Sequence, residues 1–313
     1  MLLGNTSLML MVAFWGVTTT SCYSSWAAME LNLIILLPII ANRKYLQAKF
    51  SSVKYLIVQR FAGILILRMI LVNNITTVSP LWVLLINLFI LFKLGAVPFY
   101  HWVLSVGTGQ TWITLFFLLT VQKFIPLFFI QLFSVKEIFW VSGFRWAFLP
   151  WAVYILKNLK KIIIMSSTFI MISVLAAILI KARDWKGLIA LYTLTFIPLL
   201  AVNRTDSGNG ARPKRPGDEI LTATWLLLIA NLIGIPPLPG FFIKLEIRIG
   251  LISRAMWGAI VIFNLGAGVI VFIYVSFLIS KISEPRFPVK NYSFTSAARV
   301  CLLTGLRLTP ILL

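Results

Sequence analysis

Four ionisable side chains stand inside apolar stretches of the sequence, where a charge is costly. They occur in the runs Ala-Ala-Met-Glu30, Lys93-Leu-Gly-Ala-Val-Pro98, Gln122-Lys123-Phe-Ile-Pro126 and Phe-Phe-Ile-Lys244. An isolated charge at the centre of a membrane span costs at least ~2.5–3.5 kcal/mol on insertion scales, so such residues point to function. The alternative for each lysine is a position near a span end, with its amine extended to the membrane surface.

Amines and carboxylates in a low-dielectric, partly hydrated cavity can carry out proton transfer. Burial lowers the pKa of an amine toward neutrality, so that the amine can take up and release a proton. A nearby carboxylate favours the charged amine, and moving or neutralising that carboxylate releases the proton. We therefore predict Glu30 and Lys93 as a coupled pair, with Lys123 and Lys244 continuing the relay.

Three further basic residues lie close to these positions. His101, the only histidine, lies three residues after Pro98. It is either an interfacial packing residue or a supporting residue at an interrupted helix. Arg60 and Arg68 are eight residues apart in one apolar segment, so they project from similar faces. Packing of these arginines against an acidic neighbour or a lipid headgroup is favoured over a role in transport.

The elements that position these residues are apolar segments, each of roughly twenty residues, the length that crosses a ~30 Å hydrocarbon core as a helix. Of the 313 residues, 60% are hydrophobic and 12% are charged, whereas soluble domains carry about 25% charged residues. The pattern predicts an all-α membrane protein of about eleven transmembrane helices. The predicted spans are 6–22, 26–42, 54–73, 80–104, 111–134, 138–156, 161–180, 187–203, 220–246, 256–280 and 296–313.

Two predicted spans are interrupted beside a lysine. The fourth contains Gly95 and Pro98, and the ninth contains the run Gly234-Ile-Pro236-Pro237-Leu-Pro239-Gly240. Proline removes a helix hydrogen bond, and a broken backbone at membrane depth must be buried in protein or line a wet cavity. Because each break falls in the fourth of five spans, we predict two inverted five-helix repeats with functional sites at the breaks. The repeats are predicted at 1–134 and 138–280, followed by a C-terminal helix at 296–313.

The formal net charge of +20 reflects basic residues that cluster in short loops. About 14 lysines and arginines follow even-numbered spans and about seven follow odd-numbered spans. By the positive-inside rule, this bias places the N-terminus on the positive-inside face and the C-terminus on the opposite face. Basic loops of this kind indicate membrane topology rather than nucleic-acid binding. Cys22 and Cys301 have no metal or redox spacing, and we predict no cofactor in this chain.

Five motifs in this order resemble those of one family. They are Met29-Glu30-Leu31-Asn32-Leu33, Lys93-Leu-Gly-Ala-Val-Pro98-Phe99, Gln122-Lys123-Phe-Ile-Pro126, Lys157-Asn-Leu-Lys160-Lys161 with Ser166-Ser167, and Ile235-Pro-Pro-Leu-Pro-Gly240-Phe241. Together they resemble subunit 2 of mitochondrial NADH:ubiquinone oxidoreductase, respiratory complex I. The resemblance implies an antiporter-like fold that conducts protons across the mitochondrial inner membrane, coupled to NADH oxidation and ubiquinone reduction elsewhere in the complex.

The resemblance also implies roles and partners. Glu30 and Lys93 would be the coupled pair, Lys123 the central relay, and Lys244 the terminal lysine facing a neighbouring antiporter-like subunit. The implied partners are other membrane-arm subunits and phospholipids, with no redox centre in this chain. The N-terminus would lie in the matrix and the C-terminus in the intermembrane space.

The chain departs from the family pattern at three positions. Tyr100 stands where the family usually has histidine, Leu104 replaces a proline, and Ile170 replaces a histidine after the paired serines. Ile170 therefore removes a histidine that a relay in the second half would use. Two other functions remain open, namely a subunit of a cation/proton antiporter and a structural membrane scaffold. The antiporter would share the fold, whereas a scaffold would have no use for intramembrane lysines.

Overall fold

The regular structure is α-helical throughout the part of the chain that the computed structural model describes. The described residues are 2–41, 46–75, 80–96, 99–132, 158–179, 185–200, 218–236 and 238–282. Their helices are α1 Leu2–Thr18, α2 Cys22–Ala41, α3 Leu46–Ile75, α4 Pro80–Leu94, α5 His101–Thr108, α6 Trp112–Leu119, α7 Val121–Leu132, α8 Leu159–Leu179, α9 Trp185–Phe196, α10 Asp218–Ile233, α11 Pro239–Ser253 and α12 Trp257–Ile282.

Several of these helices are long and apolar enough to cross a membrane. Within the described ranges, five stretches meet that requirement, namely Cys22–Ala41, Ala48–Val72, Trp112–Gln131, Leu159–Ile178 and Trp257–Ser276. The predicted all-α, multi-span fold is confirmed. The predicted spans at 138–156 and 296–313 lie outside the described residues. The division into repeats at 1–134 and 138–280 stays a prediction.

Helix α8 occupies the centre of the bundle. In its apolar span 94% of the residues are buried, compared with 33% in the spans of α3 and α12. It packs against α5 and α7 from the first half of the chain and against α9 and α11 from the second. A helix that is apolar all round belongs in such a core. The basic start of α8 and its serines are therefore held between the two sets of helices.

The structure corrects the bounds of several predicted spans. The span predicted at 6–22 lies at Leu2–Thr18, and the one predicted at 54–73 extends over Leu46–Ile75. Lys49 and Lys54, which are counted above among the loop residues after even-numbered spans, consequently lie in helix α3. Both side chains are exposed, and long amine side chains let a helix continue past the hydrocarbon core. The span predicted at 220–246 continues, after its break, to the end of α11.

The two predicted helix breaks are confirmed, and both end in the same backbone motif. At the end of α4, the Gly95 N–H donates to Phe92 O at 3.1 Å and the Ala96 N–H donates to Leu91 O at 3.0 Å. At the end of α10, the Gly234 N–H donates to Asn231 O at 3.1 Å and the Ile235 N–H donates to Ala230 O at 3.2 Å. The φ angles are +67° at Gly95 and +83° at Gly234, a left-handed conformation that glycine adopts without steric cost.

A third break was not predicted. The span at 111–134 is divided at Thr120 into α6 and α7. The Thr120 hydroxyl donates to Phe116 O at 2.7 Å, and the Lys123 N–H turns to Thr120 O at 3.0 Å. A threonine hydroxyl competes with the backbone for carbonyl acceptors, and here it accompanies the interruption. Lys123 consequently lies in the first turn after a break.

Candidate proton-transfer site

Glu30 and Lys93 form a buried ion pair between α2 and α4. Lys93 Nζ donates to Glu30 Oε1 at 2.8 Å. The exposed fractions of these residues are only 7% and 6%. The predicted contact is therefore confirmed, and the alternative of a Lys93 amine extended to the membrane surface is wrong. Removing Glu30 would leave the buried Lys93 amine without its counter-ion.

The end of α4 frees the Lys93 amine for this contact. Gln59 Nε2 donates to Lys93 O at 3.0 Å, and Trp102 Nε1 donates to Phe92 O at 3.0 Å. The last carbonyls of a helix lack partners within the helix and must find donors elsewhere. Because neutral side chains supply two of those donors, the amine is left to bind Glu30.

Arg60 is a second cation on the same carboxylate. Its Nη1 lies 3.2 Å from Glu30 Oε2. The site fits closely against α3, because a Cβ on Gly63 would lie 2.1 Å from Glu30 Oε1. The Gly63 carbonyl also accepts a hydrogen bond of 2.8 Å from Trp26 Nε1. Packing of Arg60 against an acidic neighbour was favoured from the sequence, but its contact with Glu30 was not predicted.

A small cavity joins the surroundings of Lys93 to those of Lys123. Its volume is about 10 Å³, and its polar lining includes Tyr55, Gln59 and Gln122 beside the two lysines. That volume suits roughly one water molecule. Lys123 Nζ is buried and has no hydrogen-bond partner among the described residues. A water molecule in this cavity would therefore lie beside both lysines.

Lys123 also lies at the junction with the second half of the chain. Its side chain is 3% exposed, so the span-end alternative is wrong for this residue too. Its Nζ lies 5.9 Å from the ring centroid of Tyr192 on α9, within range of a cation–π contact. The Tyr192 hydroxyl donates to Leu119 O at 2.6 Å, beside the break at Thr120. One tyrosine thus contacts both the helix break and the lysine that follows it.

Lys244 is buried at the second break but binds the backbone. Its Nζ donates to Leu232 O at 3.1 Å and to Ile233 O at 2.6 Å. A cation at the C-terminal end of a helix satisfies unpaired carbonyls and interacts favourably with the helix dipole. The residue is 8% exposed, and the structure gives it no salt bridge within the described ranges. No hydrogen bond or ion pair among the described residues joins it to Lys123.

The predicted supporting prolines occupy different places. Pro239 begins α11, where proline is well tolerated because its missing N–H would be unpaired anyway. Pro236 is exposed in the connection between α10 and α11. Pro98 and Pro237 lie outside the described residues. At the first break, the structure describes the conformation of Gly95 but does not describe Pro98.

His101 is not brought to the lysines. Its side chain is exposed and stacks on Tyr100, with ring centroids 4.2 Å apart. Ile170 is buried in α8, where it packs in the apolar core. Arg68 is exposed on α3. In the described part of the chain, no group of three histidine, cysteine or acidic residues is placed to hold a metal ion.

Solved structures share this fold. No protein-family model matches the chain. A chain of respiratory complex I from Thermus thermophilus with bound aureothin superposes with a TM-score of 0.76 at 17% identity, covering 97% of this chain and 76% of that one. The Mrp complex from Dietzia sp. contains a chain with a TM-score of 0.75 at 13% identity, covering 93% of this chain and 61% of its own length.

Relatives with one shared name match most of the sequence. NADH-ubiquinone oxidoreductase chain 2 of Artemia franciscana is 26% identical over 276 residues, or 86% of each protein. The protein of that name from Hylobates lar is 27% identical over 243 residues, covering 71% of this chain and 68% of that protein. The resemblance predicted from the motifs is therefore confirmed, and the chain is similar to the NADH-ubiquinone oxidoreductase chain 2 proteins.

Proposed function

We propose that this chain is a core membrane subunit of respiratory complex I that conducts protons across the mitochondrial inner membrane. NADH oxidation and ubiquinone reduction would take place in other subunits, so that this chain carries no redox centre and no cofactor of its own. The observation that carries the proposal is the buried Lys93–Glu30 pair beside a cavity that also reaches Lys123.

In the proposed cycle, Glu30 holds the protonated Lys93 until the two groups separate. An N–H bond of Lys93 then breaks, and its proton passes to the oxygen of a water molecule in the cavity. That water gives a proton to the unprotonated Lys123 amine, whose nitrogen lone pair accepts it. Glu30 acts as the charged partner and Lys123 as the acceptor, as in general acid–base catalysis.

The energies match such a cycle. Moving one charge against 100 mV requires ~2.3 kcal/mol. Gaining or losing an opposite charge in contact changes a group's proton affinity by roughly 1.4–4 kcal/mol. The upper part of that range exceeds the ~2.3 kcal/mol required, so separation of one strongly coupled ion pair can drive one proton step. Lys244 would receive the proton later and face a neighbouring antiporter-like subunit.

The proposal includes an environment for the chain. Its partners would be other membrane-arm subunits and phospholipids. The N-terminus would lie in the matrix and the C-terminus in the intermembrane space, as the loop charges suggest. Protease treatment of mitoplasts tests this orientation, because cleavage at residues 203–217 from the outer face would show that it is inverted.

The central experiment replaces Lys93 by methionine in the assembled complex. Lys93→Met is expected to lower proton pumping and NADH:ubiquinone activity together, because a tightly coupled machine stalls when one proton step fails. Lys93→Arg is expected not to restore pumping fully, since arginine stays charged and cannot relay a proton. Lys54→Met, a change of an exposed lysine on α3, is the matched control. Normal pumping in an assembled Lys93→Met complex would remove this residue from the mechanism.

A second candidate function is that of a subunit in a cation/proton antiporter. This function is supported by the fold that the chain shares with a chain of the Mrp complex. The two functions differ in their partners. On a native gel of mitochondria, a complex I subunit migrates with NADH-dehydrogenase staining, whereas an antiporter subunit migrates apart from it.

A further inference from the structure

The two oxygens of the Glu30 carboxylate bind two cations of different kinds. Oε1 lies 2.8 Å from Lys93 Nζ, and Oε2 lies 3.2 Å from Arg60 Nη1. The Lys93 amine can lose its proton, whereas a guanidinium stays charged in proteins. One carboxylate is therefore shared between a cation that can be neutralised and a cation that is permanent.

The place of Arg60 in its helix is costly. It lies halfway along the apolar stretch Ala48–Val72, and 43% of its side chain is exposed at the surface of the chain. Ile57, Phe61 and Ile64 on the same helix are exposed apolar residues. An arginine at the middle of a span requires a counter-ion or a polar surrounding. Glu30 is its salt-bridge partner among the described residues.

The carboxylate is held firmly between these cations. Gly63 leaves the space that Oε1 occupies, since a Cβ there would collide with it. The Gly63 backbone is in turn fixed by the hydrogen bond from Trp26. Glu30 is 7% exposed, so bulk water does not replace either cation when one of them is lost. A buried carboxylate left without a cation tends to be neutralised by taking up a proton.

We propose that Arg60 is a positioning residue that keeps Glu30 charged and in place when Lys93 gives up its proton. This inference rests on the proposed function. When an N–H bond of Lys93 breaks, Glu30 remains a carboxylate because Arg60 still balances its charge. The proton therefore passes to the oxygen of a water in the cavity and on to Lys123. Without Arg60, the proton would form an O–H bond on Glu30 while the two groups are still in contact, instead of passing to the water once they separate.

The test compares two arginines of the same helix in the assembled complex. Arg60→Gln is expected to lower the rate of proton pumping per assembled complex roughly fivefold, the upper end for an ion pair with one partly exposed partner. Arg60→Lys retains a cation, although one that can lose its proton, and is expected to restore part of the pumping. Arg68→Gln is the matched control, because Arg68 is exposed and has no salt bridge within the described residues. It is expected to pump at the unmodified rate.

A double variant separates positioning from a structural effect. If Arg60 acts through Glu30, then Arg60→Gln changes nothing further in a Glu30→Gln background, whereas a structural contribution would still lower the rate there. Three outcomes would each overturn the inference. They are normal pumping in Arg60→Gln, a loss on adding Arg60→Gln to Glu30→Gln that equals the loss in the unmodified chain, and no recovery of pumping in Arg60→Lys. Normal pumping in both Lys93→Met and Glu30→Gln would instead overturn the proposed function. In-gel NADH-dehydrogenase staining normalises every rate to assembled complex.

Discussion

The two helix breaks have the same backbone and use their lysines differently. At the first break, Gln59 and Trp102 donate to the carbonyls at the end of α4, and the Lys93 amine binds Glu30. At the second break, the Lys244 amine itself donates to two carbonyls at the end of α10. A lysine whose partner is an ionisable side chain is suited to a changing charge. A lysine that satisfies a helix end is also part of the scaffold.

The difference has a consequence for proton release. When Lys93 becomes neutral, the carbonyls of α4 keep their donors. When Lys244 becomes neutral, it still has two N–H groups but loses the charge that favours its place at the helix end. The first break can therefore change charge with little strain on the fold. The second couples each change of charge to the stability of the interrupted helix.

The largest expected effect tests how tightly each break is packed. A Cβ on Gly240 would lie 1.9 Å from the backbone oxygen of Asn231, so Gly240→Ala should prevent assembly of the complex. Gly95→Ala should be milder, even though its φ is positive, because its Cβ would meet the tip of the Val103 side chain. In-gel staining of assembled complex measures both. Gly250→Ala, with nothing within 4 Å of its Cβ, is the control.

If Gly95→Ala assembled less well than Gly240→Ala, the first break would be the more rigid of the two. That outcome would contradict the packing argument. It would also mean that the tighter packing lies at the first break, where we propose the change of charge.

The next effect separates stability from pumping. Lys244→Met leaves two helix-end carbonyls without this donor, at a cost of roughly 1–3 kcal/mol for a buried unsatisfied group. We expect it to lower the midpoint of thermal unfolding of the purified complex more than Lys93→Met does. Lys93→Met should lower pumping per assembled complex more than Lys244→Met does. A reversed order in either measurement would break the comparison between the two lysines.

Substitution of Glu30, the carboxylate at the first break, is expected to have the next largest effect. Glu30→Gln should leave assembly intact but impair pumping, because the amide no longer provides the charge that holds a protonated Lys93. Glu30→Asp keeps the negative charge, but its shorter side chain places the carboxylate farther from Lys93. This variant should therefore retain part of the pumping rate. Proton pumping by reconstituted complex measures both variants. Equal rates in Glu30→Gln and the unmodified complex would show that the ion pair has no part in proton movement.

Much of this comparison could be predicted from the sequence. Gly95 and Gly234 mark the breaks because a helix ends readily where glycine adopts a positive φ. The pairing of Glu30 with Lys93 followed from the cost of an isolated charge in a span and the scarcity of carboxylates nearby. Which residues would bind the carbonyls at each break could not be predicted. Those donors come from other helices, and sequence spacing fixes a helical face but not its neighbour.

The contacts of Arg60 and Thr120 were missed for related reasons. The spacing of Arg60 and Arg68 predicted a common face, but the contact with Glu30 depends on how α2 and α3 pack. Thr120 lies in a run of apolar residues that indicates an uninterrupted helix, with no glycine or proline at the break. Its interruption involves a hydrogen bond from Tyr192, which is distant in sequence.

The smallest expected effect concerns that third break, where the Tyr192 hydroxyl donates to a helix-end carbonyl. Tyr192→Phe removes the donor to Leu119 O and should destabilise the complex by about 1 kcal/mol, the usual net contribution of one hydrogen bond. Tyr55→Phe is the matched control. The Tyr55 hydroxyl is buried with no partner among the described residues, so its loss should be neutral or slightly stabilising. Thermal unfolding of the two variants measures the difference, and an equal shift in both would show that Tyr192 does not hold the break.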